Sequence, residues 1–203
     1  MYREVHGFKN GKPLPRWKRI STEDIDYWRK ENQELDTLLY TIQQFDDPKQ
    51  SDGESHIAPL YFDLDYKEDV SKALEDCKTL VEYLIAKYGV SPLIWFSGNK
   101  GFHIEIAHEY FNVVPHPKLT YHWRYLAEYF MDELHLTTVD LGVYTIPRMW
   151  RIPNTRNQKL YKIPVGIGEL RSLDIDGIKS LAKHPRAPHS YPTTSVSPIN
   201  PSL

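Results

Sequence analysis

Cysteine is almost missing: Cys77 is the single one in 203 residues. That excludes an internal disulfide and any zinc site built on cysteine. Long apolar runs are missing as well. None approaches the roughly 18 residues of a membrane span, so no membrane association through such a helix is expected. No apolar stretch follows Met1-Tyr2-Arg3-Glu4, so no secretory leader is expected and a cytoplasmic location is. An excess of one charge is missing too. Lys and Arg number 25 against 27 Asp and Glu, a formal net charge of −2. The chain is no general polycation, and any grip on nucleic acid must come from local basic patches. Nor is there an internal repeat with a period of about 20–50 residues.

What is present is a soluble, globular composition, 40% hydrophobic and 26% charged, with the length for one well-buried domain or two small ones. Residues 184–203 hold Pro185, Pro188, Pro192, Pro198 and Pro201 with four serines, and read as a linker or tail. The folded part is therefore expected over 1–183, divided into a basic, helical part over 1–56 and a catalytic part over 57–183. In the first part, Lys9, Lys12, Arg16, Lys18 and Arg19 surround Pro13, Pro15 and Trp17. Such a segment suits either a solvated arm or a grip on a single strand through phosphates and stacking. Ser21, with Asp24 three residues on, predicts a helix start. Ile25, Trp28, Leu35, Leu38, Leu39 and Ile42 predict one apolar face for it.

The middle of the chain has a more telling order. Residues 57–64 predict a strand. An amphipathic helix follows, marked by Val70, Ala73, Leu74, Cys77, Leu80, Val81, Leu84 and Ile85 and stopped by Gly89. Strands are predicted at 93–96 and 102–107, around the turn Ser97-Gly98-Asn99-Lys100-Gly101. A second helix carries Leu119, Trp123, Leu126, Ala127, Phe130 and Leu134. Further strand candidates lie near 148–152 and 160–165. This is an α+β order, βαββαβ, the arrangement of ferredoxin-like and RRM-like sheets. It places the first strand at the centre, between the third and fourth, with helices on one face and the other face open.

Alternation along the strands then sorts the side chains. Phe62, Leu64, Phe102, Ile104 and Ile106 should pack under the helices. Asp63, Asp65, His103 and Glu105 should share the open face, with Asp140 entering on the first strand's other side. Adjacent carboxylates repel unless a cation sits between them, and hard oxygen ligands suit Mg²⁺ or Mn²⁺. The Asp-x-Asp pattern occurs three times, at Asp24, Asp63 and Asp174. The first and last lie at helix starts, where acids favour the dipole. The middle pair suits either a metal or a strand running out into solvent. The turn over 97–101 suits either a plain hairpin or a phosphate cradle in which glycines admit backbone N–H groups and Lys100 adds charge. Residues 147–162 hold Arg148, Arg151, Arg156, Lys159 and Lys162 without one acid, which points to anion binding. Trp150 and Tyr161, interleaved there, could pack or stack.

These residues resemble a known family. Tyr61-Phe62-Asp63-Leu64-Asp65 resembles the first catalytic motif of the archaeo-eukaryotic primase superfamily, the group of primase small subunits and primase-polymerases. Phe96-Ser97-Gly98-Asn99-Lys100-Gly101-Phe102-His103-Ile104 resembles its second. Asp140 followed by Val143, Thr145, Arg148, Arg151, Pro153, Thr155 and Lys159 resembles its third. The motifs stand in family order over roughly residues 57–165. The resemblance implies an RRM-like catalytic unit with a smaller N-terminal α/β unit, and template-directed nucleotidyl transfer with divalent metals. It implies Mg²⁺ or Mn²⁺ on Asp63, Asp65 and Asp140. It gives Ser97, Lys100 and His103 the phosphates of an NTP or dNTP, with Arg148, Arg151 and Lys159 completing the clamp and Arg151 ahead of Arg148.

The chain departs from the family in places. Thr155 and Asn157 stand where the family often has Ser and His; both keep hydrogen-bonding capacity, and Asn157 stays a candidate for nucleotide binding. A Cys/His zinc element is not expected with one cysteine. Larger members carry a helical domain or a helicase, which a linker-like tail would suit. The activity implied is primer synthesis on single-stranded DNA, in replication of a plasmid, phage or other mobile element. A gap-filling repair polymerase of the same superfamily and a non-initiating nucleic-acid-binding relative are the alternatives. A rolling-circle initiator needs a His-x-His pair, where this chain has His103-Ile104-Glu105.

Overall fold

In the computed structural model, residues 1–14, 18–49 and 53–187 are described. Arg16 and Trp17 of the basic segment, and the tail from residue 188, lie outside them. The chain opens with β1 (Tyr2–Lys9), β2 (Lys12–Pro13) and β3 (Lys18–Ser21). Asn10 and Gly11 both have positive φ, 52° and 70°, the backbone that a two-residue hairpin requires. A short helix α1 (Ile25–Glu31) follows, then β4 (Thr37–Thr41), β5 (Gln44–Phe45) and β6 (His56–Ile57).

Two expectations for this region are corrected. The helix predicted from Ser21 to Ile42 is cut at Glu31. Asn32 turns its side-chain amide back to the Trp28 carbonyl at 2.7 Å, and the chain leaves the helix there. Thr37 to Thr41 then pairs with β1, Val5 opposite Tyr40 and Phe8 opposite Thr37. The β-branched threonines suit a strand. Leu38 and Tyr40 are buried while Leu39 between them is only partly so, which is strand alternation inside an apparently helical spacing. The basic segment is no solvated arm at Arg19. That guanidinium is buried, 3.0 Å from Glu4, paired also with Glu54, and 3.9 Å above the Phe45 ring.

The second half carries β7 (Leu60–Asp65), α2 (Val70–Tyr88), β8 (Leu93–Phe96), β9 (Gly101–Ile106) and α3 (Leu119–Glu133). Then come β10 (Met149–Arg151), β11 (Arg156–Asn157), β12 (Leu160–Tyr161), β13 (Ile163–Pro164), α4 (Ile167–Ser172) and α5 (Ile175–Leu181). Asp69 caps α2 by accepting from the Ser71 N–H at 2.9 Å. Gly89, at φ 63°, closes it. Among the described residues there are two large sheets. One runs β13-β8-β9-β7; the other runs β10-β4-β1-β5-β6, with β2 and β3 also on β1. The helix-side face of the first sheet is as expected: Phe62, Leu64, Phe102, Ile104 and Ile106 are fully buried, under α2 residues such as Ala73, Cys77 and Leu80.

The fourth strand is not where it was predicted. Met149–Arg151 crosses to the other sheet and pairs with β4, Trp150 opposite Tyr40. Residues 138–140 take its place on the free edge of β7. The Asp65 N–H donates to the Thr138 carbonyl and the Asp140 N–H to the Asp63 carbonyl, each at 2.8 Å. A strand's pattern shows that it needs a partner, not which edge it takes. The face expected to be open is also corrected. Trp150 lies across it, 4.1 Å from the His103 ring and 5.4 Å, edge on, from the Tyr61 ring.

Candidate active site

The antiparallel register of β7 and β9 sets Asp63 opposite His103 and Asp65 opposite Gly101. Alternation puts the two aspartates on one face, where the seam between the sheets ends. His103 Nε2 lies 3.7 Å from Asp63 Oδ1. Arg148 Nη2 approaches the other oxygen of that carboxylate at 3.5 Å. Lys100, on the turn before β9, forms an ion pair with Asp65. Two sequence-predicted cations, one predicted histidine donor and two predicted carboxylates thus come together.

Asp140 is brought beside Asp63 through its backbone, while its Oδ1 accepts from the Gly142 N–H at 2.8 Å. Among the described residues no group of three or more His, Cys, Asp or Glu is arranged to hold a metal ion. The Asp63–Asp65 pair does fit one in its donor chemistry: Asp65 Oδ1 is buried without a hydrogen-bond partner, and carboxylate oxygens suit Mg²⁺ or Mn²⁺.

Arg151 reaches away from the carboxylates. It donates to the Arg156 carbonyl and, at 3.3 Å, to Asn157 Oδ1. Asn157 in turn donates to the Ser97 carbonyl at 3.2 Å. The turn over 97–101 and the β11–β12 hairpin are therefore joined through Asn157. Lys159 is exposed on the tight turn of that hairpin, outside this network. The glycines of the 97–101 turn serve close packing. A Cβ on Gly101 would fall 1.9 Å from the Leu64 carbonyl oxygen, and one on Gly98 2.9 Å from the Tyr161 backbone. Ser97 Oγ accepts from the Gly101 N–H at 3.3 Å.

The electrostatics are those of a half-dry pocket. Burial pushes the Asp63 carboxyl up to about 6, and Asp65 beside it adds to the rise, against Arg148. Burial holds His103 well below its ordinary value, with Lys162, Arg148 and Arg151 acting in the same direction. The His103–Asp63 contact therefore joins a neutral imidazole to an acid, not two full charges. Lys100 is raised by its bond to Asp65. Arg148 Nε and His103 Nδ1 are buried without hydrogen-bond partners. Neutral donors and unsatisfied cations beside carboxylates can receive an anion that brings its own cation.

Two residues have places that the sequence did not indicate. Gln43, fully buried, accepts from the Arg148 N–H at 2.9 Å and donates to the Thr145 carbonyl at 3.0 Å. It holds the turn that delivers Arg148. Lys162, counted in the basic patch, is fully buried rather than available to solvent. No local pattern marks either residue, because each depends on the meeting of two sheets.

No family model matches the chain. A stretch of 39 residues is 41% identical to the DNA primase small subunit PriS of Saccharolobus islandicus and of Saccharolobus solfataricus. It is 19% of this chain and 12% of each of those proteins, so the shared part is about an eighth of the relatives' length. Among solved structures, the chain is similar to the polymerase domain of Mycobacterium tuberculosis ligase D in complex with DNA. The TM-score is 0.54 at 14% identity, over 89% of this chain and 80% of that one. The fold is thus similar to that domain's, a mixed α/β molecule with antiparallel sheets.

Proposed function

We propose that this chain is a template-directed nucleotidyltransferase of the archaeo-eukaryotic primase superfamily that makes, and extends, primers on single-stranded DNA. The observation that carries this reading is the Asp63–Asp65 pair, faced by Lys100, His103 and Arg148. The order 138–140, β7, β9, β8, with α2 and α3 on one face, supports the RRM-like reading of the catalytic unit. A groove of about 850 Å³ opens beside Arg151, Asn157 and Tyr161, with Arg29 and Lys30 on its other wall. It offers room for nucleotide or strand.

In this reading Asp63 and Asp65, joined by Asp140, would hold Mg²⁺ or Mn²⁺. Bound there, the metal would activate the 3′-hydroxyl and offset the charge of the triphosphate. Lys100 and Arg148 would pass from the carboxylates to the phosphates as these arrive. His103, kept neutral, would donate one N–H without adding charge. Ser97 and Asn157 would hold the turn, with Arg151 and Lys159 at the rim of the anion clamp. The 3′-oxygen would attack the α-phosphorus as pyrophosphate leaves, and Lys100 and Arg148, once turned from the carboxylates, would offset the charge that builds. A role in replication of a mobile element, with a fused or associated helicase or accessory domain, belongs to the same proposal.

A second reading keeps the chemistry and changes the role. The likeness to a ligase polymerase domain favours a gap-filling repair polymerase. One assay separates them: unprimed single-stranded DNA, labelled NTPs and dNTPs, and Mg²⁺ or Mn²⁺, beside the Asp63→Ala/Asp65→Ala double variant. Products that vanish in the variant establish a primase. Extension of a supplied primer without initiation favours repair. No synthesis in either case overturns the nucleotidyltransferase reading.

A further inference from the structure

Lys162 lies between the two sheets with no exposed surface. Lysine almost never takes such a place unless paired, and its Nζ has no hydrogen-bond partner. Three aromatic rings surround it instead. Nζ lies 5.0 Å from the centre of the Trp150 ring, 5.5 Å from Trp95 and 6.0 Å from Tyr40. Trp95 belongs to the four-stranded sheet. Tyr40 and Trp150 are cross-strand partners in the other sheet. One cation therefore faces rings from both sheets, and the nearest of these rings carries His103 on it at 4.1 Å.

The backbone of Lys162 is tied down as well. Its N–H donates to the Thr155 carbonyl at 3.0 Å, and its carbonyl accepts from the Asn154 N–H at 2.8 Å. The residue is thus fixed to the loop between Arg151 and Asn157. Drying an ammonium is costly, and a neutral side chain of equal size would avoid that cost. Burial pulls the Lys162 pKa down to about 8, with Glu105 and Asp63 opposing the fall. Desolvated cation–π contacts offset part of the cost. They depend on direction, so they also fix how the rings stand.

We propose that Lys162 is a positioning residue whose buried ammonium, held on Tyr40, Trp95 and Trp150, locks the two sheets in the register that sets His103 and Arg148 against Asp63. It touches no substrate in this role. Its kinetic consequence rests on the reading of the site as a nucleotide site; its structural consequence does not.

The test uses the full chain with Lys162→Met and Lys162→Arg. Three quantities are read: melting temperature, the ring-current-shifted His103 imidazole signal in NMR, and binding of a labelled nucleoside triphosphate with Mn²⁺. Lys162→Met is expected to lose the His103 shift and to bind triphosphate about tenfold more weakly at temperatures where it stays folded. Lys162→Arg, which keeps a cation on the rings, is expected to retain most of both. A Met variant with an unchanged His103 signal overturns the proposal, and so does an Arg variant as impaired as Met. Where Met does not fold, Lys162→Gln takes its place with the same expectations. Failure of the parent protein to bind triphosphate would count against the nucleotidyltransferase reading alone, since the His103 signal still decides the lock.

Discussion

The four-stranded sheet has two faces of opposite chemistry. Toward α2 and α3 it shows Phe62, Leu64, Phe102, Ile104 and Ile106, all fully buried. Toward the second sheet the same strands show Tyr61, Asp63, His103 and Glu105, with Lys162 arriving from the segment before β13. Both faces are nearly dry, with His103 at 8% exposure and Glu105 at 6%. Only one of them keeps ionisable groups out of water, which costs free energy. The apolar face supplies stability; the polar face uses some of it to hold groups in charge states and positions that water would not favour. Since one strand serves both, neighbouring residues can be altered to break one face and spare the other.

The largest effect should come from Asp63→Asn. Synthesis should be lost, yet the metal-free protein should melt higher at neutral pH. The sign follows from the raised carboxyl, about 6 against 3.8. Proton binding to Asp63 favours the folded state, so its stabilising effect is complete below about pH 4 and is lost as pH rises through 6. At pH 8 the parent holds a buried anion that the amide removes; at pH 4 the two proteins should melt alike. Equal melting temperatures at pH 8 would mean that Asp63 is not held dry.

The mirror image is Ile106→Ala. This residue pairs with Leu60 at the far end of β7 and β9 and is fully buried. Its truncation should cost about 2–5 kcal/mol in denaturant unfolding. Synthesis per folded molecule should stay as it was below the melting transition. A loss of activity with the fold intact would show that the two faces are coupled through the sheet.

Lys100→Ala sharpens the polar side alone. Lys100 is about half exposed and paired with Asp65, so the pair is screened by solvent and adds little to stability. Its removal should weaken triphosphate binding and, without nucleotide, tighten Mn²⁺ binding severalfold by freeing a carboxylate oxygen. Spin-resonance counting of free Mn²⁺ measures the second effect directly. Unchanged or weaker Mn²⁺ binding would show that Lys100 does not compete at that oxygen.

The same contrast explains what could be read from the sequence. The apolar face was legible because period-2 and period-3.6 patterns are local: Phe62 to Leu64, Phe102 to Ile106 and the buried stripe of α2 each carry their own signal. The Asp63–Asp65–His103 grouping followed from the same alternation. The seam was not legible, because it is made by pairings remote in sequence. Thr37–Thr41 on β1 and Met149–Arg151 on β4 turn a helix-like spacing into a strand and an open face into a covered one. Gln43, Trp150 and Lys162 gained their roles there, from partners that no window around them contains.

The smallest effect lies at the end of the described chain and tests where the fold stops. Arg186 grips Glu169 with both guanidinium nitrogens, at 2.6 and 2.9 Å, and donates to the Pro164 carbonyl at 3.1 Å. Its backbone N–H donates to Asn154 Oδ1 at 2.8 Å, and its carbonyl accepts from the same side chain at 2.6 Å. These bonds lie past Lys183, where the sequence pattern ends the fold, and they hold the residue that bonds the Lys162 carbonyl. Arg186 and Glu169 are each about a quarter to a third exposed, so the ion pair should contribute no more than about 1 kcal/mol. A chain ending at 183 should therefore melt a few degrees below one ending at 187, and Arg186→Ala in the longer chain should reproduce most of that loss. Equal melting temperatures would place the boundary at Lys183; a larger gap would make this last turn part of what holds the seam together.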